Sequence, residues 1–71
     1  MVERWNACEA GCGQLIFKLR MKLMALPPGG TLEVTTHDAG APADLPAWCR
    51  TTGHVLVSAE HPVYAIRRRE G

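Results

Sequence analysis

From Ile16 through Leu19 and Leu23 to Leu26, apolar residues recur at three- and four-residue steps, while Lys18 and Lys22 fall on another face. That period predicts an amphipathic helix over Gln14 to Leu26. Phe17, Met21 and Met24 form a second stripe beside the first, expected either to widen the core face or to offer a soft docking surface. Leu32 and Val34 then alternate with Glu33 and Thr35, the period of a strand with one covered face. Asp44 to Arg50 reads as a second helix, with Pro46 in its first turn, where no N–H partner is needed. Leu45, Trp48, Cys49 and Thr52 are expected on its inner side. Val55-Leu56-Val57 and Val63-Tyr64-Ala65-Ile66 are rich in β-branched and aromatic residues, and Glu60-His61-Pro62 between them predicts a terminal hairpin. Val2 to Asn6 alternates only weakly and reads as a strand because the rest of the fold needs one.

Pro27-Pro28-Gly29-Gly30, Ala39-Gly40-Ala41-Pro42 and Thr52-Gly53-His54 punctuate these segments. The order is β-α-β-α-β-β, an α/β two-layer sandwich in which a four-stranded mixed sheet carries two helices on one face. Glu33 and Thr35, together with His54 or Arg67, are expected on the open face. The chain of 71 residues reads as one domain, 1–71, since so short a chain cannot support two separate cores.

Eight Lys and Arg against seven Asp and Glu give a formal charge of +1, which argues against a nucleic-acid module; aromatics do not interleave with a basic patch either. The one basic run, Arg67-Arg68-Arg69, reads as a solubilising tail or the charged end of an edge strand, with an acidic partner patch as the alternative. Leu15 to Leu26 is broken by Lys18, Arg20 and Lys22 and is too short to span a membrane. Three cysteines and the lack of a secretory pattern favour a reducing, cytoplasmic setting over a disulfide scaffold.

Chemistry concentrates in Cys8-Glu9-Ala10-Gly11-Cys12, where the first strand gives way to the first helix. A thiol at a helix N-terminus meets unpaired N–H groups and the positive end of the peptide dipoles, so its thiolate is favoured. Cys12 is the candidate nucleophile. Cys8 either resolves or relays chemistry at Cys12 or is a small buried side chain at the base of the loop. Cys49, at core spacing from Leu45, reads as a buried structural thiol. Cys8 and Cys12 with His37, His54 or His61 lack the second tight ligand pair of a zinc site, and no metal or cofactor is expected.

The run Asn6 through Cys12 into an amphipathic helix, then Leu32-Glu33-Val34, His37-Asp38-Ala39-Gly40-Ala41, Asp44-Leu45-Pro46-Ala47-Trp48-Cys49 and Gly53-His54, resembles the TusA-like (SirA-like) sulfur-carrier family over nearly the whole chain. The resemblance implies a small cytoplasmic protein whose essential cysteine, matched by Cys12, accepts sulfane sulfur as a persulfide. It also implies a donor protein, such as a cysteine desulfurase or a rhodanese-like protein, and an acceptor protein in a relay serving transfer-RNA thiolation or sulfur metabolism. Direct nucleic-acid contact, a membrane and a cofactor are not implied, and a monomer is expected because two proteins must reach one sulfur in turn.

The family motif Cys-Pro-x-Pro reads Cys12-Gly13-Gln14-Leu15 here, with both prolines absent. Gly13 adds backbone freedom and restores an N–H donor that proline lacks. Gly13 and Gln14 are thus auxiliary candidates beside Cys12. Asp38 is expected to cap the second helix or to orient a loop near Cys12, and His37 to donate to a persulfide. Asp44 is expected to accept N–H bonds around Pro46. Lys18 and Arg20 are candidates for attracting an acidic partner. A sulfur carrier leads; an interaction domain that keeps the fold without the chemistry, and a Cys8/Cys12 dithiol protein that releases sulfide, are the alternatives.

Overall fold

The structure, a computed structural model, describes residues 2–7 and 12–70, with α1 side chains described from Gln14 onward. The elements are β1 (Val2–Asn6), α1 (Cys12–Met24), β2 (Thr31–Thr35), α2 (Ala41–Thr52), β3 (Val55–Glu60) and β4 (Val63–Arg67). The sheet order is β1-β2-β4-β3. β1 runs parallel to β2, whereas β4 is antiparallel to both β2 and β3, so the sheet is mixed as expected.

Alternation along the two central strands decides which face is covered. Leu32 and Val34 of β2 pair with Ile66 and Tyr64 of β4, and all four are buried. Leu15, Leu19 and Leu23 of α1 and Ala41, Leu45 and Cys49 of α2 join the same cluster, which places both helices over that face. Thr31, Glu33 and Thr35 point the other way, and Arg4 of β1 reaches Glu33 there at 3.6 Å. This pair is exposed and contributes little to stability. β1 and β3 form the edges, and β3 carries an irregularity in register between Leu56 and Ser58.

The connections follow local chemistry. α1 ends at Met24 rather than Leu26 because the chain tightens there, with the Leu26 N–H donating to the Leu23 carbonyl at 3.1 Å. Pro27 to Gly30 close a turn in which the Gly30 N–H reaches the Pro27 carbonyl at 2.9 Å and Gly29 takes φ 83°, a conformation glycine adopts without strain. α2 stops at Gly53, whose φ of 84° and N–H bond to the Cys49 carbonyl form a left-handed cap.

Four expectations need correction. α2 begins at Ala41, three residues before Asp44, with Pro42 in its first turn. Pro46 therefore sits inside the helix, where it removes the N–H that would otherwise bond the carbonyl of the exposed Pro42. Second, Phe17, Met21 and Met24 are 62%, 60% and 49% exposed and do not widen the core. At roughly 100° per residue, Met21 lies about 200° beyond Leu19, so the second stripe faces away from the first rather than beside it.

Third, His54 is buried and does not face outward on the sheet: its Nδ1 accepts the Arg69 N–H at 3.0 Å. Fourth, the arginine run is no loose tail. Arg67 closes β4, the Arg68 N–H donates to Gly30 at 2.8 Å, and the Arg68 guanidinium donates to the Leu26 carbonyl.

This division of faces has a measurable consequence. Leu19→Ala is expected to lower unfolding free energy by about 2–5 kcal/mol, while Met21→Ser stays within about 0.5 kcal/mol of the parent. Urea titrations of the two variants check it; equal losses would show that the faces of α1 are assigned wrongly.

Candidate functional site

In a β-α-β unit the helix starts beyond the carboxyl end of the first strand, so parallel pairing of β1 and β2 brings both following segments to one end of the sheet. Residues after Asn6 lead to Cys12 at the start of α1, and residues after Thr35 lead through His37 and Asp38 to Ala41 at the start of α2. Backbone bonds knit this end together. The Ala7 N–H donates to Thr35 at 2.7 Å, and the Thr36 N–H donates to Pro62 at 2.8 Å.

Cys12 opens α1, as the sequence predicts for a thiol at a helix N-terminus. Its side chain, and Cys8 altogether, lie outside the described residues, so the pairing of the two thiols is a sequence expectation only. Gly13 follows in the helix and contributes a backbone N–H to its first turn, where such groups lack intrahelical acceptors. Gln14 is exposed in the same turn.

Asp38 is tied into the loop ahead of α2. Its Oδ1 accepts the Gly40 N–H at 3.2 Å, and its own N–H donates to the buried Thr36 Oγ1 at 3.2 Å. Gly40 occupies the N-cap position without any side-chain cap, so Asp38 braces the approach to the helix and is not the cap itself. Asp44 lies in the first turn of α2, where a carboxylate complements the helix dipole. His37 is exposed at this end of the sheet.

Lys18 and Arg20 are both exposed but stand on different flanks of α1, Lys18 toward β1 and Arg20 toward α2. The structure does not gather them into one patch with His37 and Asp38. Among the described residues no group of three or more His, Cys, Asp or Glu converges in a way that would hold a metal. His61 is engaged elsewhere, its Nδ1 lying 2.5 Å from the Tyr64 hydroxyl. No helix among the described residues is long and apolar enough to cross a membrane.

Cys49 is buried at 3% exposure, and burial pushes its thiol pKa up, so it remains a neutral thiol at physiological pH. His54 finds its partner at Arg69, 15 residues along the chain, which no local pattern signals. Its ring packs against Trp48, with centroids 5.2 Å apart. Burial lowers its pKa below the usual imidazole value, and the Arg69 and Arg68 guanidiniums lower it further.

The family described as Sulfurtransferase TusA matches the chain over residues 3–69. A protein of Neisseria meningitidis serogroup A named Putative sulfur carrier protein is 42% identical over 48 residues, 68% of this chain. That match spans 65% of the Neisseria protein, just under two thirds of its length. Sulfur carrier protein TusA of Pseudomonas aeruginosa is 31% identical over 68 residues, covering 90% of this chain and 86% of that protein. Its counterpart in Pseudomonas syringae pv. tomato is 35% identical over 62 residues, 82% of this chain and 74% of that one.

The His54 contact sets a pH dependence. Because the folded-state pKa is lowered, the unfolded chain binds the extra proton first, and stability conferred by neutral His54 is complete above about pH 6.5. It is expected to fall as pH drops below that value, until the folded state titrates too. Thermal melts between pH 7.5 and 5 check this, and His54→Leu is expected to be less stable at pH 7.5 yet to show a smaller change across the interval. An unchanged slope in the variant would assign the pH dependence to other groups.

Proposed function

Because the chain belongs to the TusA sulfurtransferase family, we propose that it is a sulfur carrier, accepting sulfane sulfur on Cys12 and handing it to a second protein. The observation that carries this reading is the place of Cys12 at the first residue of α1, on a chain whose family match spans residues 3–69. The donor is a persulfide-bearing protein such as a cysteine desulfurase or a rhodanese-like protein. The acceptor is a protein thiol, in transfer-RNA thiolation or in sulfur metabolism. The carrier acts as a monomer in the reducing cytoplasm, so that each protein reaches the same sulfur in turn.

The chemistry needs no net oxidant. The Cys12 thiolate attacks the outer sulfur of the donor persulfide R–S–SH; the new bond joins Cys12 Sγ to that sulfur, and the donor's S–S bond breaks. The bond's electron pair leaves with the donor as its thiolate, and the proton stays on the transferred sulfur. An acceptor thiolate then attacks the outer sulfur of the Cys12 persulfide in the same manner, returning Cys12 to its thiolate. Unpaired N–H groups of the first turn, including that of Gly13, stabilise negative charge at each stage. His37 and Asp38 belong to the same end of the sheet, His37 as a donor to the persulfide and Asp38 as a brace of the loop beside it. Of the roles open to Cys8, which are resolution, relay or a small buried side chain, resolution is the one with a mass signature: attack on the inner sulfur of the Cys12 persulfide would form a disulfide and release sulfide when no acceptor is present.

Intact mass after incubation with a cysteine desulfurase and cysteine is expected to show an adduct of one sulfur atom. The adduct should vanish in Cys12→Ser, persist in Cys49→Ser and accumulate further in Cys8→Ser. Its retention in Cys12→Ser would refute the assignment. Gly13→Pro separates backbone stiffness from hydrogen bonding: proline fits the first helical turn and is expected to raise stability by about 0.4–1 kcal/mol. If the Gly13 N–H holds the anion, the same variant loads sulfur more slowly in single-turnover mass spectrometry.

A further inference from the structure

One exposed side chain at the reactive end of the sheet is held by a partner in the core. β4 runs antiparallel to β2, so the β3–β4 turn returns to the end of the sheet where β1 and β2 finish. Backbone bonds join the segments there: the Ala7 N–H donates to Thr35, and the neighbouring Thr36 N–H donates to Pro62. His61 of this turn is exposed, yet its Nδ1 lies 2.5 Å from the hydroxyl of Tyr64, which is buried. The two rings meet edge to face, with centroids 5.8 Å apart. Tyr64 pairs with Val34 on the covered face, so the contact draws the imidazole to the side of the sheet that carries α1.

We infer that His61 donates a hydrogen bond to the outer sulfur of persulfide-loaded Cys12, with Tyr64 as the positioning residue that sets its ring. The inference rests on the carrier reading. A phenol O–H is a better donor than an imidazole N–H, and burial raises the Tyr64 pKa, so the hydroxyl keeps its proton and Nδ1 accepts the bond. An accepting Nδ1 places the ring proton on Nε2, the nitrogen that Tyr64 does not bind. Reach follows from strand spacing. The segment after β1 and the β3–β4 turn are two strand spacings apart, roughly 10 Å, with the β2–α2 connection between them. Cys12 and His61 approach that interval from its two sides, and a second sulfur lengthens the cysteine by about 2 Å. The two sulfurs then meet different donors. N–H groups at the start of α1 serve the inner sulfur, which leaves as thiolate, while the Nε2–H draws negative charge from the outer sulfur, the atom a nucleophile attacks. His61 itself neither gains nor loses a proton.

The test uses the full chain in a Cys8→Ser/Cys49→Ser background, loaded at Cys12 with a cysteine desulfurase and cysteine, separated from the donor and mixed with cyanide. Cyanide takes the outer sulfur as thiocyanate, while the electron pair of the S–S bond and the proton return to Cys12. It needs no docking surface, so its rate reports on the sulfur alone. His61→Ala is expected to slow this step about tenfold, the loss of one hydrogen bond to a charged group. His61→Gln, whose amide keeps a donor, is expected to recover most of the rate. Tyr64→Phe keeps the buried ring; it should slow the step by itself and add nothing to His61→Ala. Thermal melts close to the parent establish that the variants fold. Nitrogen-15 NMR is expected to show His61 protonated at Nε2, with an Nδ1 signal that moves in Tyr64→Phe.

A rate in His61→Ala unchanged within about twofold overturns the inference and leaves the carrier reading standing. So does a Tyr64→Phe loss that adds in full to that of His61→Ala, or a ring protonated at Nδ1. Failure of the parent to take up any sulfur at Cys12 would instead refute the carrier reading, and the inference with it.

Discussion

One apolar layer holds this chain together and sets how its two helices lie on the sheet. Leu15, Leu19 and Leu23 lie against a sheet face made by Leu32, Val34, Tyr64 and Ile66, and Leu45 and Cys49 complete the layer from α2. A chain of 71 residues has little apolar surface to spare, so the rotation of α1 about its axis is fixed by those leucines. That rotation determines where the helix starts relative to β1. It also turns Phe17, Met21 and Met24 outward, on the side where a partner has access.

The chain closes on itself through its last residues. Beyond β4, Arg68 bonds the α1–β2 connection through Gly29, Gly30 and Leu26, and Arg69 bonds His54 at the start of β3. These hydrogen bonds tie the open end of the hairpin to the α1–β2 connection and tie its two strands' outer ends to each other. They leave the carboxyl end of β1 and β2, where Cys12 and His37 lie, on the opposite side of the strands from this latch. The latch and the start of α1 thus lie at opposite ends of the sheet.

The two central strands and the first helix were legible in sequence because each buries a regular period: two for Leu32 and Val34 and for Tyr64 and Ile66, three or four for Leu19, Leu23 and Leu26. α2 was legible in kind but not in extent, since Pro42 and Pro46 together conceal where it begins; proline fits a first turn, and two prolines four apart cannot both occupy it. The outward direction of Met21 was present in the helical angle yet obscured by hydrophobicity, which normally signals burial. His54 and Arg68 gave no sequence signal. Their partners lie at Arg69 and at Leu26 and Gly30, and such pairings depend on tertiary closure rather than on any local pattern. The position of Cys12 at the start of α1 was read correctly, while the placement of Cys8 lies outside the described residues.

Sulfur transfer as proposed requires a thiolate at Cys12, favoured by its place at the start of α1. The most direct measurement is the pH dependence of iodoacetamide alkylation at Cys12, in a Cys8→Ser/Cys49→Ser background where no other thiol reacts. A midpoint below that of an ordinary cysteine, about 8.5, is the expected result. A midpoint at or above that value in the folded protein would contradict the claim that this helix start activates the sulfur.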